Sequence, residues 1–234
     1  GMHWMKMTAR SVDTAIDLSG LGLDTIVETD HTFEIGCMVT LRQLEQHPAL
    51  NAWTNHAVAD AVKDIVGVQF RNTATVGFSI FGRYGFSDVL TVFLAMNAKV
   101  VCHHAGEIPL EQYAQMPADR DILVKLVVDK QPMRVSYQVM RHARTDFPIL
   151  TCAASCVDGM WQASVGARPH KAALVRDQEG RLRGGVDEAS AARFGDYVAG
   201  QLNFGSNMRG SAAYRRQICG VLVQRAVLAA CEVK

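Results

Sequence analysis

The order of elements along the chain predicts an α+β fold. Strand and helix patterns mix without a fixed period through the first half, a cluster of strand patterns follows, and helical patterns close the chain. No regular βαβ alternation runs through it, so a doubly wound parallel sheet is not expected. With 234 residues, 49% of them hydrophobic, the chain can build one large core or two small ones.

Taken in order, residues 2–13 carry little pattern and are expected to fray. Asp24 to Gly36 reads as two short strands around Thr29-Asp30-His31. Thr40 reads as the N-cap of a helix that begins at Leu41. Pro48 interrupts, and Leu50 to Ile65 then reads as one helix, because Trp53, Ala57, Ala61 and Ile65 recur four apart. Val66 to Val76 reads as extended, with Arg71-Asn72 inside it. Gly77, Gly82 and Gly85 punctuate a loop, after which Ser87 or Asp88 caps an apolar helix from Val89 to Met96. Lys99 to His103 is strand-like. Pro117 to Arg120 reads as a boundary, which gives units 13–117 and 118–234. The second unit opens with strand patterns at Ile122–Val128, Arg134–Met140, Ile149–Cys156 and Gln162–Gly166, with Asp158-Gly159 as a hairpin turn and Pro169–Val175 extended. A helix from Glu188 toward Val198 and a long helix from Ser211 to Val233 complete it. Ile218, Val221, Leu222, Ala226 and Ala229 give the last helix its buried stripe.

Composition removes several function classes. A net charge of +1 offers no basic surface for nucleic acid, and three Trp, five Tyr and nine Phe make a base-stacking platform improbable. The six cysteines are scattered with no Cys-x-x-Cys pair, which argues against an iron–sulfur cluster or structural zinc carried by this chain alone. With no secretory segment at the start, reduced thiols in a cytoplasm are the simplest expectation. No apolar run approaches the ~20 residues that span a bilayer, so no membrane partner is expected.

The stretch with most chemical content is Arg71-Asn-Thr-Ala-Thr-Val-Gly-Phe-Ser79, followed by Phe86-Ser-Asp-Val-Leu90. A glycine after a strand lets backbone approach a flat ligand or a phosphate, and successive N–H groups there can hold an anion. Thr75 and Ser79 offer hydroxyls, and Asp88 offers a carboxylate suited to ribose or ribityl hydroxyls. On spacing alone, the same residues equally describe a strand, a glycine turn and a capped helix. Other candidates read as structural. His103 and His104 on a strand would point to opposite faces. His142 joins Arg141 and Arg144 in a small basic face. Cys152 and Cys156 share a strand face as buried thiols. Arg215-Arg216 suit surface ion pairs or a neighbouring subunit.

The stretch resembles the signature of the FAD-binding subunits of the molybdenum hydroxylases, which include xanthine and carbon monoxide dehydrogenases. That signature reads roughly R-N-x-A-T-[IL]-G-G-N, then a loop, S-D-L and an apolar helix. Arg71, Asn72, Ala74, Thr75, Val76, Gly77, Ser87 and Asp88 match it, and Phe93 to Val100 resembles the helix-to-strand continuation. Phe33–Leu44, Asp146–Ala154, Asp158-Gly159, Val165–Pro169 and Arg209–Arg216 are similar to further family segments, in the family's order.

The resemblance implies an FAD-binding type-2 (PCMH-like) subdomain followed by a domain like the C-terminal one of carbon monoxide dehydrogenase flavoprotein. It implies that Thr75, Gly77, Phe78, Ser79, Ser87 and Asp88 face FAD, that no residue is an acid–base catalyst, and that no metal is held. It also implies a molybdopterin-binding large subunit and a 2Fe–2S small subunit as partners, with electrons passing from their clusters through FAD to an acceptor.

Three departures set a second reading beside this one. The family opens with a small βαβ subdomain whose A-G-G-[ST] loop cradles the FAD pyrophosphate. Asp13 to Leu21 resembles the segment after that loop, so roughly thirty residues, about one βαβ unit, are expected to be missing. Phe78 replaces the second glycine of the signature, and its benzyl group should obstruct close backbone approach. Gln138 stands where many relatives carry a lysine, which removes a positive charge near the flavin. The second reading is a homologue that no longer binds FAD and serves as a structural or interaction module. An apolar face left by the missing subdomain would favour a homodimer.

Overall fold

The computed structural model describes residues 7–9, 11–117 and 120–232. The expected frayed start, the boundary residues Ala118 and Asp119, and the last residue of the expected C-terminal helix lie partly or wholly outside the described residues.

Among the described residues, two antiparallel sheets carry the architecture. The first has five strands in the order β1-β2-β5-β3-β4: β1 (Ile26–Glu28), β2 (Thr32–Gly36), β3 (Lys99–Cys102), β4 (Gly106–Pro109) and β5 (Leu123–Asp129). The second is a meander of β6 (Met133–Met140), β7 (Leu150–Val157), β8 (Met160–Gly166) and β9 (Ala173–Arg176). The boundary expected at Pro117–Arg120 precedes β5, yet β5 pairs with β2 and β3 in the first sheet. The division between sheets therefore falls between Asp129 and Met133. A boundary read from Pro and polar residues is a local signal, whereas membership of a sheet is set by long-range pairing.

The first hairpin forms as expected. Thr29 Oγ1 accepts from His31 N at 3.2 Å and Thr32 N at 2.8 Å and fixes the turn. Phe33 and Ile35 alternate into the core, while Glu34 faces out and pairs with Lys125 at 2.6 Å. Helix α1 (Leu41–Gln46) starts at Thr40, which shares a reciprocal capping box with Gln43.

The single helix expected over Leu50–Ile65 is two: α2 (Pro48–Trp53) and α3 (Ala57–Val62). Asn55 and His56 take φ of 46° and 61° between them. The buried Asn51 side chain holds this break together. It donates to Leu44 O at 2.9 Å and His47 O at 2.9 Å, and accepts from Ala59 N at 3.0 Å. The four-residue periodicity persists because both short helices face one core.

The stretch expected to be extended, and the glycine loop after it, each contain a short helix, α4 (Val68–Arg71) and α5 (Val76–Phe81), while Thr75 between them stays extended. Helix α6 (Asp88–Ala95), capped by Ser87, is buried along its whole length. It packs on β7 and β8 of the second sheet, and its Val89, Leu90 and Phe93 share one core with Phe33, Ile35 and Val100 of the first. Thr91 and Thr151 share a hydrogen bond of 2.9 Å, and Ser155 Oγ and Gln162 Nε2 both donate to Ala95 O at the end of α6. Strand β4 and helix α7 (Leu110–Gln115) carry no expectation from the sequence.

Strand β7 is buried on both faces. Thr151, Ala153 and Ser155 face α6, while Cys152, Ala154 and Cys156 face helices α8 (Glu188–Gln201) and α9 (Ala212–Cys231). Cys152 and Cys156 are thus buried thiols, as expected. Asp158 and Gly159, at φ of 48° and 78°, make the expected tight hairpin turn. Asp187 caps α8, and Ser211 caps α9. Gly195 lets the two helices touch, since a Cβ there would stand 2.4 Å from Gly220 O.

Arg215 is not a surface residue. It is fully buried, and it donates to Ile149 O, Gly205 O, Gly210 O and Asn207 Oδ1 at 2.5–2.9 Å. Its charge is met by carbonyl dipoles of the loop before α9 rather than by a carboxylate. Arg216 donates to Ala199 O and stacks over Phe204. The strand expected through His103 ends at Cys102, so His103 and His104 sit in a turn with ring centroids 4.5 Å apart.

Candidate cofactor site

The Arg71–Ser79 segment is stitched to the connection between β2 and α1. Leu41 N donates to Ala74 O at 2.9 Å, Val76 N to Val39 O at 2.8 Å and Gly77 N to Cys37 O at 2.8 Å, with an antiparallel bridge between Thr40 and Thr75. Arg71 anchors the start of the segment. Its guanidinium is buried and donates to Glu45 Oε2 at 2.8 Å and to Ile65 O at 3.2 Å.

Thr75 is the N-cap of α5. Its hydroxyl accepts from Phe78 N at 3.3 Å, and its carbonyl accepts from Ser79 N at 3.2 Å and Ser79 Oγ at 3.1 Å. The four successive N–H groups of residues 76–79 are therefore all used within the protein, and the anion-holding role expected of them has no donor left. Gly77 has a packing reason of its own. A Cβ there would stand 2.7 Å from Cys37 O and 2.9 Å from Cys37 Cβ, so glycine lets α5 lie against the end of β2.

Ser87 Oγ donates to Ser79 O at 3.0 Å and accepts from Leu90 N at 3.1 Å, which ties the start of α6 to α5. Asp88 follows and is buried. Its Oδ1 accepts from Tyr137 Oη at 2.5 Å and from Arg141 Nη2 at 2.6 Å. Burial lifts the Asp88 carboxyl above the ordinary aspartate value, with Arg141 foremost among the groups that oppose the rise. Burial, with Asp88 beside it, raises the Tyr137 phenol well above its own, so the phenol stays a donor. Arg141 is 8% exposed, and its Nη1 donates to Asp146 O at 2.5 Å. Its Nε is buried without a partner.

These groups form one end of a cleft of about 370 Å³ whose remaining walls are apolar. Leu41, Ile65, Phe70, Phe78, Tyr84, Phe86 and Phe147 line it. Four of these aromatic rings make a continuous chain. Phe78 lies 5.3 Å from Tyr84, Tyr84 stacks on Phe86 at 5.2 Å and 9°, and Phe86 meets Phe147 edge-on at 4.8 Å. Phe78 is thus a wall of the cleft.

A second, more polar cleft of about 340 Å³ lies on the other side of the segment, between Ser19–Asp24 and Thr40, Gln43, Asn72, Thr73 and Thr75. Among the described residues that line it there is no lysine or arginine, and Asp24 is acidic.

Of the six residues singled out in the sequence, Phe78, Ser79, Ser87 and Asp88 meet at the first cleft. Thr75 lines the second, and Gly77 lines neither. Gln138 is not on the walls of the first cleft. Arg141, three residues on, does line that cleft, ion-paired to Asp88. Tyr137, Arg141, Tyr84, Phe86 and Phe147 were not singled out for the site. Tyr137 and Arg141 had a readable signal, since residues four apart along an extended chain share a face. The aromatic chain had none, because Phe147 comes from another part of the sequence. Among the described residues, no group of three His, Cys, Asp or Glu side chains is placed to hold a metal ion.

Comparison with known proteins places these features. Residues 2–130 match the family model described as the FAD binding domain in molybdopterin dehydrogenase, and residues 135–230 match the carbon monoxide dehydrogenase flavoprotein C-terminal domain. The uncharacterized protein YgfM of Escherichia coli (strain K12) is 28% identical over 212 residues, covering 89% of this chain and 77% of its own. The fold is shared with solved structures at lower identity. A chain of carbon monoxide dehydrogenase from Hydrogenophaga pseudoflava superposes with a TM-score of 0.78 at 22% identity, covering 90% of this chain and 78% of that one. A chain of quinoline 2-oxidoreductase from Pseudomonas putida 86 gives 0.76 at 17% identity, with the same coverage of both chains.

Proposed function

Because this chain belongs to the family of FAD-binding domains of molybdopterin dehydrogenases, we propose that it is the flavin-binding subunit of an oxidoreductase of that type. The observation that carries this is the coincidence of the family's segment with a cleft fitted to a flat, largely apolar ring. Phe78, Phe86 and Phe147 supply faces for such a ring, and the unpartnered Arg141 Nε–H supplies a donor for a carbonyl at its edge. The flavin, when bound, supplies the redox chemistry; the chain binds and orients it. Ser79, Ser87 and Asp88 at the polar end of the cleft order Arg141 and the α5–α6 junction rather than react.

In this reading the working unit is a complex in the cytoplasm. A large molybdopterin-binding chain and a small 2Fe–2S chain deliver electrons to the flavin, which passes them to an acceptor. The test is the visible absorption spectrum of the purified chain before and after incubation with excess FAD and desalting. Retained flavin absorbance supports the reading, and co-purification with the two partner chains extends it to the complex.

One observation favours a second reading, a structural or interaction module without cofactor. The N–H groups of residues 76–79 are consumed internally, and neither cleft presents an unpaired cation among its described residues to a diphosphate. Protein that stays colourless after desalting, yet still joins the partner chains, would establish it.

A further inference from the structure

We propose that the outward face of the α8–α9 helix pair is a two-fold interface that takes a second copy of this chain, packed antiparallel with Val221 at the axis. Such a dimer forms whatever the cleft binds. It is built from other residues than the face expected near the start of the chain.

Three features carry it. The first is pattern. Helix α9 packs on β6, β7 and α8, yet apolar side chains also stand on its outer side. Tyr214 and Val221 are 40% and 41% exposed, and Leu228 is half-buried. They recur seven apart, so they fall on one line that drifts by only about 20° per step. A surface helix needs one apolar stripe to hold it to its own core, and α9 carries a second. The second feature is self-complementarity. Helix α8 runs antiparallel to α9: Arg216 donates to Ala199 O, a Cβ on Gly195 would meet Gly220 O, and Gln224 donates to Glu188 O. Val221 is therefore level with the middle of α8, between the exposed Arg193 and Asp196. A two-fold axis lying along this face, across the helices at Val221, sets Val221 against Val221 of the second copy and Tyr214 against its Leu228. The same rotation sets Arg193 of each copy opposite Asp196 of the other. Opposite charges thus fix the register that the apolar line permits. The third feature is area. Helix α9 has 20 residues, so the pair offers a face about 30 Å long and about 20 Å wide. That is about 600 Å² per copy and about 1,200 Å² in all, the low end of specific interfaces. A contact of this size suits a dimer that dissociates in the micromolar range.

The test is sedimentation equilibrium of the full chain from about 1 to about 200 µM, a range that brackets micromolar dissociation. The expected mass rises with concentration toward twice the 25.6 kDa of one chain. Val221→Asp sets two carboxylates together at the axis and should hold the protein at the mass of one chain throughout. Its circular dichroism spectrum should match the parent, because the side chain points outward. Arg193→Asp should weaken association about tenfold, and adding Asp196→Arg should restore it, since exchanging both members of a reciprocal pair keeps every contact opposite in sign. With Cys231→Ser as background, Val221→Cys should form a disulfide between copies on mild oxidation. Gln217→Cys should not, because the antiparallel axis holds its two copies about 12 Å apart. A single-chain mass at every concentration, a dimer untouched by Val221→Asp, failure of the paired exchange to restore association, or cross-linking through Gln217→Cys as readily as through Val221→Cys overturns the inference. A chain that stays single alone, and whose Val221→Asp form no longer co-purifies with other chains, gives this face to another protein and overturns it too.

Discussion

Replacing Gly77 by alanine tests whether this glycine is kept for packing or for a ligand. Two effects compete. Gly77 sits in the first turn of α5, and alanine in a helix interior is favoured over glycine by about 1 kcal/mol, less in a first turn. Against this, the new Cβ would stand 2.7 Å from Cys37 O and 2.9 Å from Cys37 Cβ. The helix cannot simply back away, because Gly77 N is hydrogen-bonded to that same carbonyl at 2.8 Å. Overpacking of this kind costs about 1–3 kcal/mol. The packing term wins, and the expected net loss is about 1–2 kcal/mol, a fall in Tm of about 2–8 °C for a chain of this length. Thermal melts followed by circular dichroism at 222 nm read it directly. Gly200→Ala is the control, since Gly200 lies exposed in α8 and a Cβ there would meet nothing within 4 Å, and that change should stabilise by about 0.5–1 kcal/mol. A Gly77→Ala protein that melts at or above the parent temperature would refute the packing argument and return this glycine to the ligand.

Further outcomes follow from the buried polar groups. Arg215→Met strips four acceptors of their donor, so a loss on the order of 3 kcal/mol in urea denaturation is expected, together with faster proteolysis between residues 203 and 210. Arg215→Lys should rescue little, because an ammonium cannot reproduce the guanidinium fork. Burial pulls the Glu45 carboxyl up, but Arg71 and Arg42 outweigh it and leave it below the ordinary glutamate value. The unfolded chain therefore takes up the proton first as pH falls. The contribution of Glu45 is present above the ordinary glutamate pKa and is lost as pH drops through the lower folded value. Glu45→Gln should flatten that acid limb in melts across pH 3–6, a window of about one unit or more around the ordinary carboxylate pKa values. Among the thiols, burial pushes Cys219 up to about 12, and Cys37, Cys102, Cys152 and Cys156 are buried too. Ellman's reagent at pH 8, near the ordinary thiol pKa of ~8.5, should label half-buried Cys231 first, with all six thiols reacting only in denaturant.

Much of the fold was legible because its signals are local. The Thr40 cap, the Asp158-Gly159 turn, the alternation of β2, the β-rich runs of β5–β8 and part of the α9 stripe are decided by residues within one or two turns of each other; Val221, expected in that stripe, is 41% exposed, because the buried face runs through Ile218, Cys219, Leu222, Val223, Ala226, Val227 and Ala230. The misreadings have a common cause. Asn51 breaks a helix by reaching both Leu44 O and Ala59 N, a contact that no periodicity encodes. Residues 66–85 read as a strand and a glycine loop, yet contain two short helices, because Arg71 meets Glu45 and Gly77 meets Cys37 across the chain.

The candidate site divides in the same way. Sequence alone determined the α+β class, the family resemblance and four of the residues on the cleft, because a signature segment keeps its spacing whatever surrounds it. Only the tertiary structure decided what those residues face. It committed the N–H groups of residues 76 and 77 to the β2–α1 connection and those of 78 and 79 to Thr75, put Tyr137 of the second sheet and Arg141 just beyond it onto Asp88, and brought Phe147 against Phe86. The physical reason is that a hydrogen-bond donor has one best partner at a time. Whether that partner is a ligand or another stretch of the same chain is settled by which carbonyl folding brings within reach.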